Sequence, residues 1–496
     1  MADGWISLLR DGGRRVLVVF PAVLSRLGLL DRRKGTEAFD LAVPAMVTGG
    51  LRTLVRTADF FMVSLASGAV AVAGLELGFQ YYFIPFGLGL SLTSGTMSLV
   101  SRFLGAGDRD RADLAIKLSL WVAILVSVPI TAGSWVYARP MIDLLTSDPR
   151  TIALGATYLR IVMLSVVFRF VSLVAARALA AAGDTRTPMY VRLVTLPTNV
   201  ALNAILIFGL LGAPALGIAG AAIGTAVANT VAALTFLVVL LSGRWPVALR
   251  LGGRQWDTAI VAELFRVSLP LAGTRLSRTL GRFPFLFVLG VVGTPALAAY
   301  AIGRRVILLA NMPAWGYSTA SSTLVGQAIG GGDADEAASY GWTVLRLALA
   351  TQLLIAIAIA ALAGPIATAF GSQHPDLTVA FVRVFAVGVA AFSTSRTMRG
   401  ALRGAGDTRW PLYGSLLATY VVRLPIAALA LPVGYAIGVG PIAIGPLALP
   451  ALALSPGAGL GLIAVFASIL ADMYTKAVVN VIRFRSGAWR AYGGIE

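Results

Sequence analysis

The chain has 496 residues, of which 58% are hydrophobic and 12% are charged, and its formal net charge is +18. Soluble proteins carry about 25% charged residues, so this composition indicates a polytopic membrane protein. The chain has no cysteine, which excludes disulfides and thiolate metal sites, and the single histidine, His374, excludes a histidine metal site. The positive charge lies in loops beside apolar segments, so we expect a lipid bilayer as partner and no nucleic acid.

The first 40 residues do not resemble a cleaved signal peptide. The apolar run 16–24 is short, contains Pro21 and is followed by the basic run 31–34 instead of a small-residue cleavage site. A spanning helix needs about 20 apolar residues. Residues 14–30 therefore form either an interfacial amphipathic helix or part of a disordered basic tail.

Twelve apolar segments follow, and each is predicted to be a membrane-spanning helix. Their approximate bounds are 41–66, 70–103, 113–137, 151–182, 187–211, 214–242, 260–291, 295–327, 339–364, 376–405, 410–432 and 457–484. Arginines flank the loops after the second, fourth, sixth and tenth segments, whereas only Arg139 and Arg150 lie near loops on the other side. The positive-inside rule then predicts that both termini are cytoplasmic in a cell membrane.

The two halves of the chain repeat each other. RALAAAGDTRTPMY, from Arg177, matches GALRGAGDTRWPLY, from Gly400, at nine of fourteen positions, and two further pairs of segments match at nearly the same spacing. Six spans per half is an even number, so the repeats are parallel. The sequence predicts an all-α membrane protein with two six-helix pseudo-repeats around a central cavity. The predicted parts are a cytoplasmic tail (1–40), two lobes (41–242 and 258–485), a cytoplasmic linker (243–257) and a tail (486–496).

Residues 432–458 have no counterpart in the first half. They are apolar but rich in proline and glycine, which predicts an external loop without a regular span. The alternative is a short re-entrant or membrane-surface segment.

Asp59 is an acid inside the first predicted span. Even low estimates put the cost of inserting such a residue at roughly 2.5–3.5 kcal/mol, so intramembrane acids usually face a polar cavity or a partner. Asp59 is therefore a functional candidate. Alternatively, it only neutralises Arg56, three residues earlier on the same helical face.

The paired motifs resemble one transporter family. GAGDRDRA and GDTRTPMY in the first half, with GGGDADEA and GDTRWPLY in the second, are similar to the half-repeat of the multidrug and toxic compound extrusion family. TADFF around Asp59 and NVALNAILIFG from Asn199 resemble its first-helix and fifth-helix segments. The resemblance covers about residues 41–485 and implies a transporter, not an enzyme.

The resemblance to the archaeal-type branch implies a cation site in the first half. By this resemblance Asp59 is the coupling acid, Tyr158 a tyrosine near it, Asn199 and Asn203 a fifth-helix pair, and Thr225 a sixth-helix hydroxyl. Oxygens of this kind suit Na⁺, and a desolvated aspartate can instead take a proton. The branch usually has an aspartate where this chain has Asn203, which makes a one-ion cycle more plausible. The alternative for the asparagine pair is hydrogen bonding between helices.

Arginines in the first and seventh spans are a second unusual feature. Arg278 and Arg282 are the repeat counterparts of Arg52 and Arg56, and Arg275 lies beside them. If these arginines face the central cavity, they repel lipophilic cations and bind phosphate or carboxylate. Alternatively, they extend to the membrane interface.

Two functions follow from these residues. The first is secondary active efflux of organic solutes and drugs by H⁺ or Na⁺ antiport with alternating access, with Asp59 as the coupling carboxylate and possible Na⁺ ligand. The second is export or flipping of anionic or lipid-linked substrates by the cavity arginines. Either protein is expected to act as a monomer on a small organic molecule without a cofactor, and no ATP-binding motif is visible.

Overall fold

The computed structural model describes residues 21–26, 28, 30–144, 148–250, 252–370, 372–435, 437–439, 442–444, 447–449 and 452–492. Within these ranges the side chains of residues 52–54, 56, 57, 60, 64, 67–69, 72, 309 and 437–454 are not described.

The described part of the chain is predominantly helical. The first half contains α1 (Arg32–Gly105), α2 (Arg109–Asp143), α3 (Pro149–Leu164), α4 (Val166–Ala181), α5 (Arg186–Phe208) and α6 (Ile218–Leu241). The second half contains α7 (Thr258–Leu280), α8 (Arg282–Val292), α9 (Thr294–Gly330), α10 (Ala334–Ala361), α11 (Ala363–Ala369), α12 (Pro375–Gly404), α13 (Arg409–Leu416), α14 (Leu424–Ala428) and α15 (Gly461–Arg485). A π-helical stretch, Leu417–Arg423, joins α13 to α14.

Several predicted spans are not single, uninterrupted helices. Among the described residues, seven helices are long and apolar enough to cross a membrane alone, and α3 with α4 makes an eighth span bent by 47°. The predicted span 151–182 is thus interrupted at Ser165. The eleventh predicted span consists of α13, the π-helical stretch and α14.

Helix α1 contains the first two predicted spans and doubles back on itself. Sixty-five helical residues separate Asp40 from Gly105, about 100 Å if straight. However, Asp40 pairs with Arg186, and Gly105 lies against Gln327, which donates to the Ala181 carbonyl at 2.9 Å. Both ends of α1 therefore lie at one end of the bundle, although the backbone stays helical where a loop was predicted.

Four equivalent turns build this end, which we call the arginine-rich face and define by the loops at 105–109, 181–186, 330–334 and 404–409. The glycine before each aspartate is left-handed, with φ between 76° and 90°, as the motif predicts. Asp108 accepts from Arg111 N, Asp184 from Thr187 N and Asp333 from Glu336 N. These caps begin the following helices; Asp407 instead pairs with Arg483 at 2.6 Å.

The two lobes meet on the arginine-rich face around the repeat axis. A Cβ on Gly105 would lie 1.9 Å from the Gln327 carbonyl oxygen, and a Cβ on Gly330 would lie 1.9 Å from the Arg102 carbonyl oxygen. These contacts are reciprocal, because each residue is the repeat counterpart of the one across the axis. The glycines allow α1 and α9 to approach backbone to backbone.

The described ends of the chain lie at this same face. Arg33 pairs with Glu336 at 3.3 Å, and Arg490 pairs with Asp335 at 2.7 Å. The predicted interfacial helix, 14–30, lies largely outside the described residues. Within it, residues 21–26 are described and are helical. Leu24 and Leu30 are buried in a hydrophobic core with Ala38 and Tyr317.

The predicted loop at 432–458 contains short antiparallel strands. They are β1 (Ile437–Val439), β2 (Ile442–Ile444), β3 (Leu447–Leu449) and β4 (Leu452–Leu454). β1 pairs with β4 and β2 pairs with β3, and both pairs have the register of one hairpin. Alternating large and small apolar residues favour such a ribbon. The sequence pattern had predicted only an external loop here.

Trp489 anchors the last described residues to the second lobe. Its side chain is fully buried, stacks on Phe484 at 4.9 Å and donates to the Phe484 carbonyl at 2.7 Å. We expect Trp489→Ala to destabilise the protein by about 3–5 kcal/mol, because a large cavity forms. Thermal unfolding in detergent checks this, with Trp121→Ala as control, since Trp121 is 53% exposed. Equal melting temperatures for the two variants would contradict the expectation.

Candidate functional site

A cavity of about 170 Å³ lies inside the first lobe. Its walls come from both arms of α1 and from α4, α5 and α6. The lining residues are Val55, Asp59, Phe79, Tyr82, Phe83, Phe86, Arg169, Arg192, Thr195, Leu196, Asn199, Thr225, Ala228 and Asn229. Asp59 is the acidic residue among them, so the cavity combines apolar walls with one carboxylate.

Asp59 is held by a neutral amide. Asn203 Nδ2 donates to Asp59 Oδ1 at 2.7 Å, and no ion pair of the described side chains includes Asp59. The Arg56 side chain, which was the alternative partner, lies outside the described side chains. The other carboxylate oxygen, Oδ2, accepts no hydrogen bond from a described residue, so it can bind a proton or a cation.

Helix α5 brings further oxygens to the same cavity. Asn199 and Asn203 are four residues apart, which places them on one face of the helix, and both are buried. Asn199 and Thr195 line the cavity, while Asn199 Nδ2 and Thr195 Oγ1 have no hydrogen-bond partner among the described residues. Thr225, from α6, also lines the cavity. The structure thus places Asp59, Asn199, Asn203 and Thr225 around one site.

Tyr158 is not among the lining residues. It is buried in α3, where its ring would meet a Cβ on Gly78 at 2.7 Å. Its position is at the contact between α3 and the second arm of α1. The cavity is instead closed by a tyrosine from α1, Tyr82.

Sequence reasoning missed a hydrogen-bonded cluster beside Asp59. Asn229 Nδ2 donates to Tyr82 Oη at 3.2 Å and to Ser165 Oγ at 3.1 Å, and Asn229 Oδ1 accepts from Arg169 at 3.4 Å. Ser165 is the residue at which α3 bends into α4. The cluster therefore connects the cavity to the break in the fourth span. The signal was present in the sequence, because Arg169 and Asn229 are polar residues inside predicted spans.

The predicted arginines are placed only in part. The side chains of Arg52 and Arg56 are not described. Arg278 and Arg282 are both solvent-accessible and lie within electrostatic range of Arg304 and Arg423 in the second lobe. Glu263, at the start of α7, is half-buried and pairs with the buried Arg102 at 2.8 Å across the two lobes. Asp472 and Lys476, four residues apart on α15, form an ion pair at 2.5 Å.

Gly224 controls the position of the Asn203 amide. A Cβ at Gly224 would lie 1.9 Å from Asn203 Oδ1, so Gly224→Ala displaces the amide that donates to Asp59. We expect at least tenfold weaker binding of the coupling ion, because a hydrogen bond to a charged group contributes on the order of 1.5–3 kcal/mol. Ion-dependent quenching of tryptophan fluorescence measures this. Gly133→Ala is the matched control, since nothing lies within 4 Å of its Cβ; equal affinities for the two variants would refute the role of Gly224.

The site provides a single negative charge. The described residues contain no group of three or more acidic, histidine or cysteine side chains that could hold a metal ion. One carboxylate with neutral amide and hydroxyl groups balances one monovalent cation. One proton or one Na⁺ therefore neutralises the Asp59 carboxylate, while Arg169 and Arg192 on the walls of the same cavity keep their own positive charge.

Comparisons with known proteins agree with this architecture. The MatE family model matches residues 44–205 and 270–429, one match in each lobe. A probable multidrug resistance protein NorM from Bradyrhizobium diazoefficiens is 29% identical over 92% of this chain and 94% of its own length. A protein with the same description from Thermotoga maritima is 27% identical over 91% of this chain and 92% of its own.

Solved structures share the fold. One is described as the outward-facing conformation of a multidrug resistance MATE family transporter of the MOP superfamily; its TM-score is 0.80, at 22% identity, over 91% of this chain and 95% of that one. Another, from Pyrococcus furiosus, is described by the reverse polarity of its binding pocket; its TM-score is 0.80, at 20% identity, over 93% and 97% of the two chains. The twelve-helix arrangement predicted from the sequence is confirmed by this likeness.

Proposed function

Because this chain belongs to the MatE family of multidrug and toxic compound extrusion transporters, we propose that it exports organic solutes by antiport with H⁺ or Na⁺. The observation that carries the proposal is the Asp59 carboxylate, which lines a cavity and accepts a hydrogen bond from the neutral Asn203 amide at 2.7 Å. The relatives described as multidrug resistance proteins support drug-like substrates.

Charge neutralisation at Asp59 is the proposed coupling step. The charged carboxylate is costly among Phe79, Phe83 and Val55. A proton on Oδ2 removes the charge, whereas Na⁺ is balanced by the carboxylate with oxygens of Asn199 and Thr225. Either event lowers the cost of burying the site, so the first lobe can repack around it. We propose that this repacking closes the substrate-bound state toward one side and releases substrate.

The lobe contacts support an outward-facing state. The lobes touch on the arginine-rich face through Gly105, Gly330 and the pair between Arg102 and Glu263. The positive-inside rule assigns that face to the cytoplasm. Export then requires these contacts to open, so that substrate enters from the cytoplasm, and to re-form before release.

Dye export from proteoliposomes tests the proposal. A lipophilic cationic dye is loaded, and either a pH gradient or a Na⁺ gradient is imposed with the membrane potential clamped. We expect one of the two gradients to drive export and the other to have little effect, because a single carboxylate serves one monovalent ion per cycle. Export that ignores both gradients would refute antiport.

The second candidate is export or flipping of anionic or lipid-linked substrates. It is favoured by the accessible Arg278 and Arg282, which lie beside Arg304 and Arg423 in the second lobe. Such a surface repels a lipophilic cation and attracts phosphate or carboxylate. The Pyrococcus furiosus neighbour, described by a pocket of reversed polarity, supports the view that this fold accommodates substrates of different charge.

A further inference from the structure

Arginine side chains of two helices of the second lobe come within electrostatic range of one another, and they are half-buried except for the exposed Arg278. Helix α12 carries Arg396, Arg399 and Arg403, and α7 carries Arg275 and Arg278. Arg399 lies within electrostatic range of Arg275 and Arg278, and Arg396 lies within range of all four others. We call these five residues the arginine cluster. The repeat comparison had already singled out Arg275 and Arg278, whereas the arginines of α12 were counted among those that flank the loop after the tenth segment.

Three further arginines extend the cluster. Arg304 of α9 and Arg423 of the π-helical stretch lie near Arg278, and Arg177 of α4 lies near Arg403. Helices of both lobes therefore contribute to one positive region. Arg177 also donates to Thr319 Oγ1 of α9 at 3.2 Å, so the region reaches the contact between the lobes.

No acid among the described residues forms an ion pair with the arginine cluster. None of the ion pairs in the described part of the chain includes any of these eight arginines. The nearby acid, Asp472, already binds Lys476 at 2.5 Å and accepts from Thr419 at 3.4 Å. Like charges repel one another, and a half-buried charge without an ion pair has lost part of its hydration without compensation. A bound anion offsets both costs.

Many donors of these arginines remain available. Arg275, Arg278, Arg399 and Arg396 donate no hydrogen bond to a described residue, and Arg396 Nε is buried without a partner. Arg403 is different, because it bonds Ser322 Oγ at 3.1 Å and the Ser318 carbonyl at 3.0 Å. The cluster thus combines one arginine fixed by the protein with four whose planar forks can bind oxygens in bidentate fashion.

A buried aromatic cluster positions Arg423. Arg423 lies over the Phe285 ring at 3.8 Å, and Phe285 packs against Tyr300 at 5.3 Å. Tyr300 in turn contacts Phe385 at 5.8 Å. All three rings are buried in the core of the second lobe, so they hold Arg423 in place beside the other arginines.

We infer that the arginine cluster binds the phosphate-bearing headgroup of an organic substrate that carries at least two negative charges. The inference rests on the second candidate function, export or flipping of anionic substrates, and specifies its substrate class. Several guanidinium groups with few acids match a multiply charged group better than a single carboxylate. The headgroup chemistry is shared by anionic phospholipids and by soluble organic phosphates.

Binding to the purified full-length protein tests the inference. The protein is placed in nanodiscs of phosphatidylcholine, and inorganic pyrophosphate is titrated by calorimetry against chloride and sulfate at equal ionic strength. We expect saturable pyrophosphate binding that Arg278→Gln with Arg399→Gln weakens about ten- to hundredfold. The double variant Arg278→Lys with Arg399→Lys should weaken pyrophosphate binding less. Lysine keeps the positive charge, although it loses the planar guanidinium group. Arg150→Gln is the matched control, since Arg150 is exposed at the opposite end.

The outcomes distinguish a lipid headgroup from a soluble phosphate, and they distinguish the anion site from the proposed coupling role of Asp59. Displacement of pyrophosphate by phosphatidic acid in the nanodisc indicates a lipid headgroup, and displacement only by a soluble sugar phosphate indicates a soluble substrate; both support the site. Equal binding by the glutamine variant, or equal heats with sulfate, would overturn it. If the double variant does not fold, Arg423→Gln serves in its place. Asp59→Asn should retain pyrophosphate binding, so loss of coupling and loss of the anion site are distinguishable.

Discussion

Asp59→Asn will abolish ion-coupled export while the protein still folds. The amide has nearly the shape of the carboxylate and can keep a hydrogen bond with Asn203, now 2.7 Å from Asp59 Oδ1. It can neither take a proton in the working range nor balance Na⁺. The site then stays permanently neutral, so the imposed gradient cannot bias the first lobe between its two packings.

Proteoliposome export of a cationic dye under a pH or Na⁺ gradient measures this effect. We expect gradient-driven export to fall to the level of protein-free vesicles, whereas dye binding in detergent stays within about twofold of the wild type. Asp376→Asn is the matched control, because Asp376 is exposed at the start of α12. Wild-type export with wild-type ion dependence in the Asp59 variant would remove this residue from the mechanism.

Gly105→Ala combined with Gly330→Ala will prevent the lobes from closing on the arginine-rich face. Each new Cβ would lie 1.9 Å from a carbonyl oxygen of the other lobe, whereas an ordinary contact is at least 3.4 Å. Backbone atoms cannot rotate away, so α1 and α9 must separate. The separation also weakens the ion pair between Arg102 and Glu263. We expect transport to fall about tenfold or more, because the outward-facing state becomes strained.

Labelling of a single introduced cysteine provides a conformational readout, since the natural chain has none. Ser98→Cys lies on α1 inside the closed face and is fully buried. We expect it to react faster with a polar maleimide from that face in the double-alanine background. The Gly133→Ala background is the comparison, as its Cβ meets nothing within 4 Å. Unchanged labelling together with full transport would show that the glycine contact does not seal the face.

The repeat motifs were strong predictors because each is a local structure. Glycine before aspartate ends a helix and caps the next one, and this is decided by the conformational freedom of Gly107, Gly183, Gly332 and Gly406. The same motifs predicted that the two halves of the chain are parallel repeats, and therefore that an axis relates the two lobes. They did not reveal that Gly105 and Gly330 touch the opposite lobe, since close packing depends on the partner helix.

The Asp59 site was predicted in part for a similar reason. An acid in an apolar span and two asparagines four residues apart are visible along the chain. Tyr158 was placed in the predicted site by resemblance, but it packs against Gly78 outside the cavity. The positions of Tyr82 and Asn229 could not be predicted, because the bend at Ser165 sets which faces of α3, α4 and α6 meet.

The sequence by itself determined the membrane class, the spans, the doubled lobes and the acid at residue 59. These properties arise from composition and from periodicity within single helices, because each side chain partitions between water and lipid according to its own polarity. Only the tertiary structure decided that Asn203 reaches Asp59 across 144 residues of chain. It likewise decided that arginines of α7 and α12 come within electrostatic range of one another in the second lobe. Such contacts depend on how helices that are distant in sequence are oriented and packed. The residue periodicity of one helix contains no information about its partner helix.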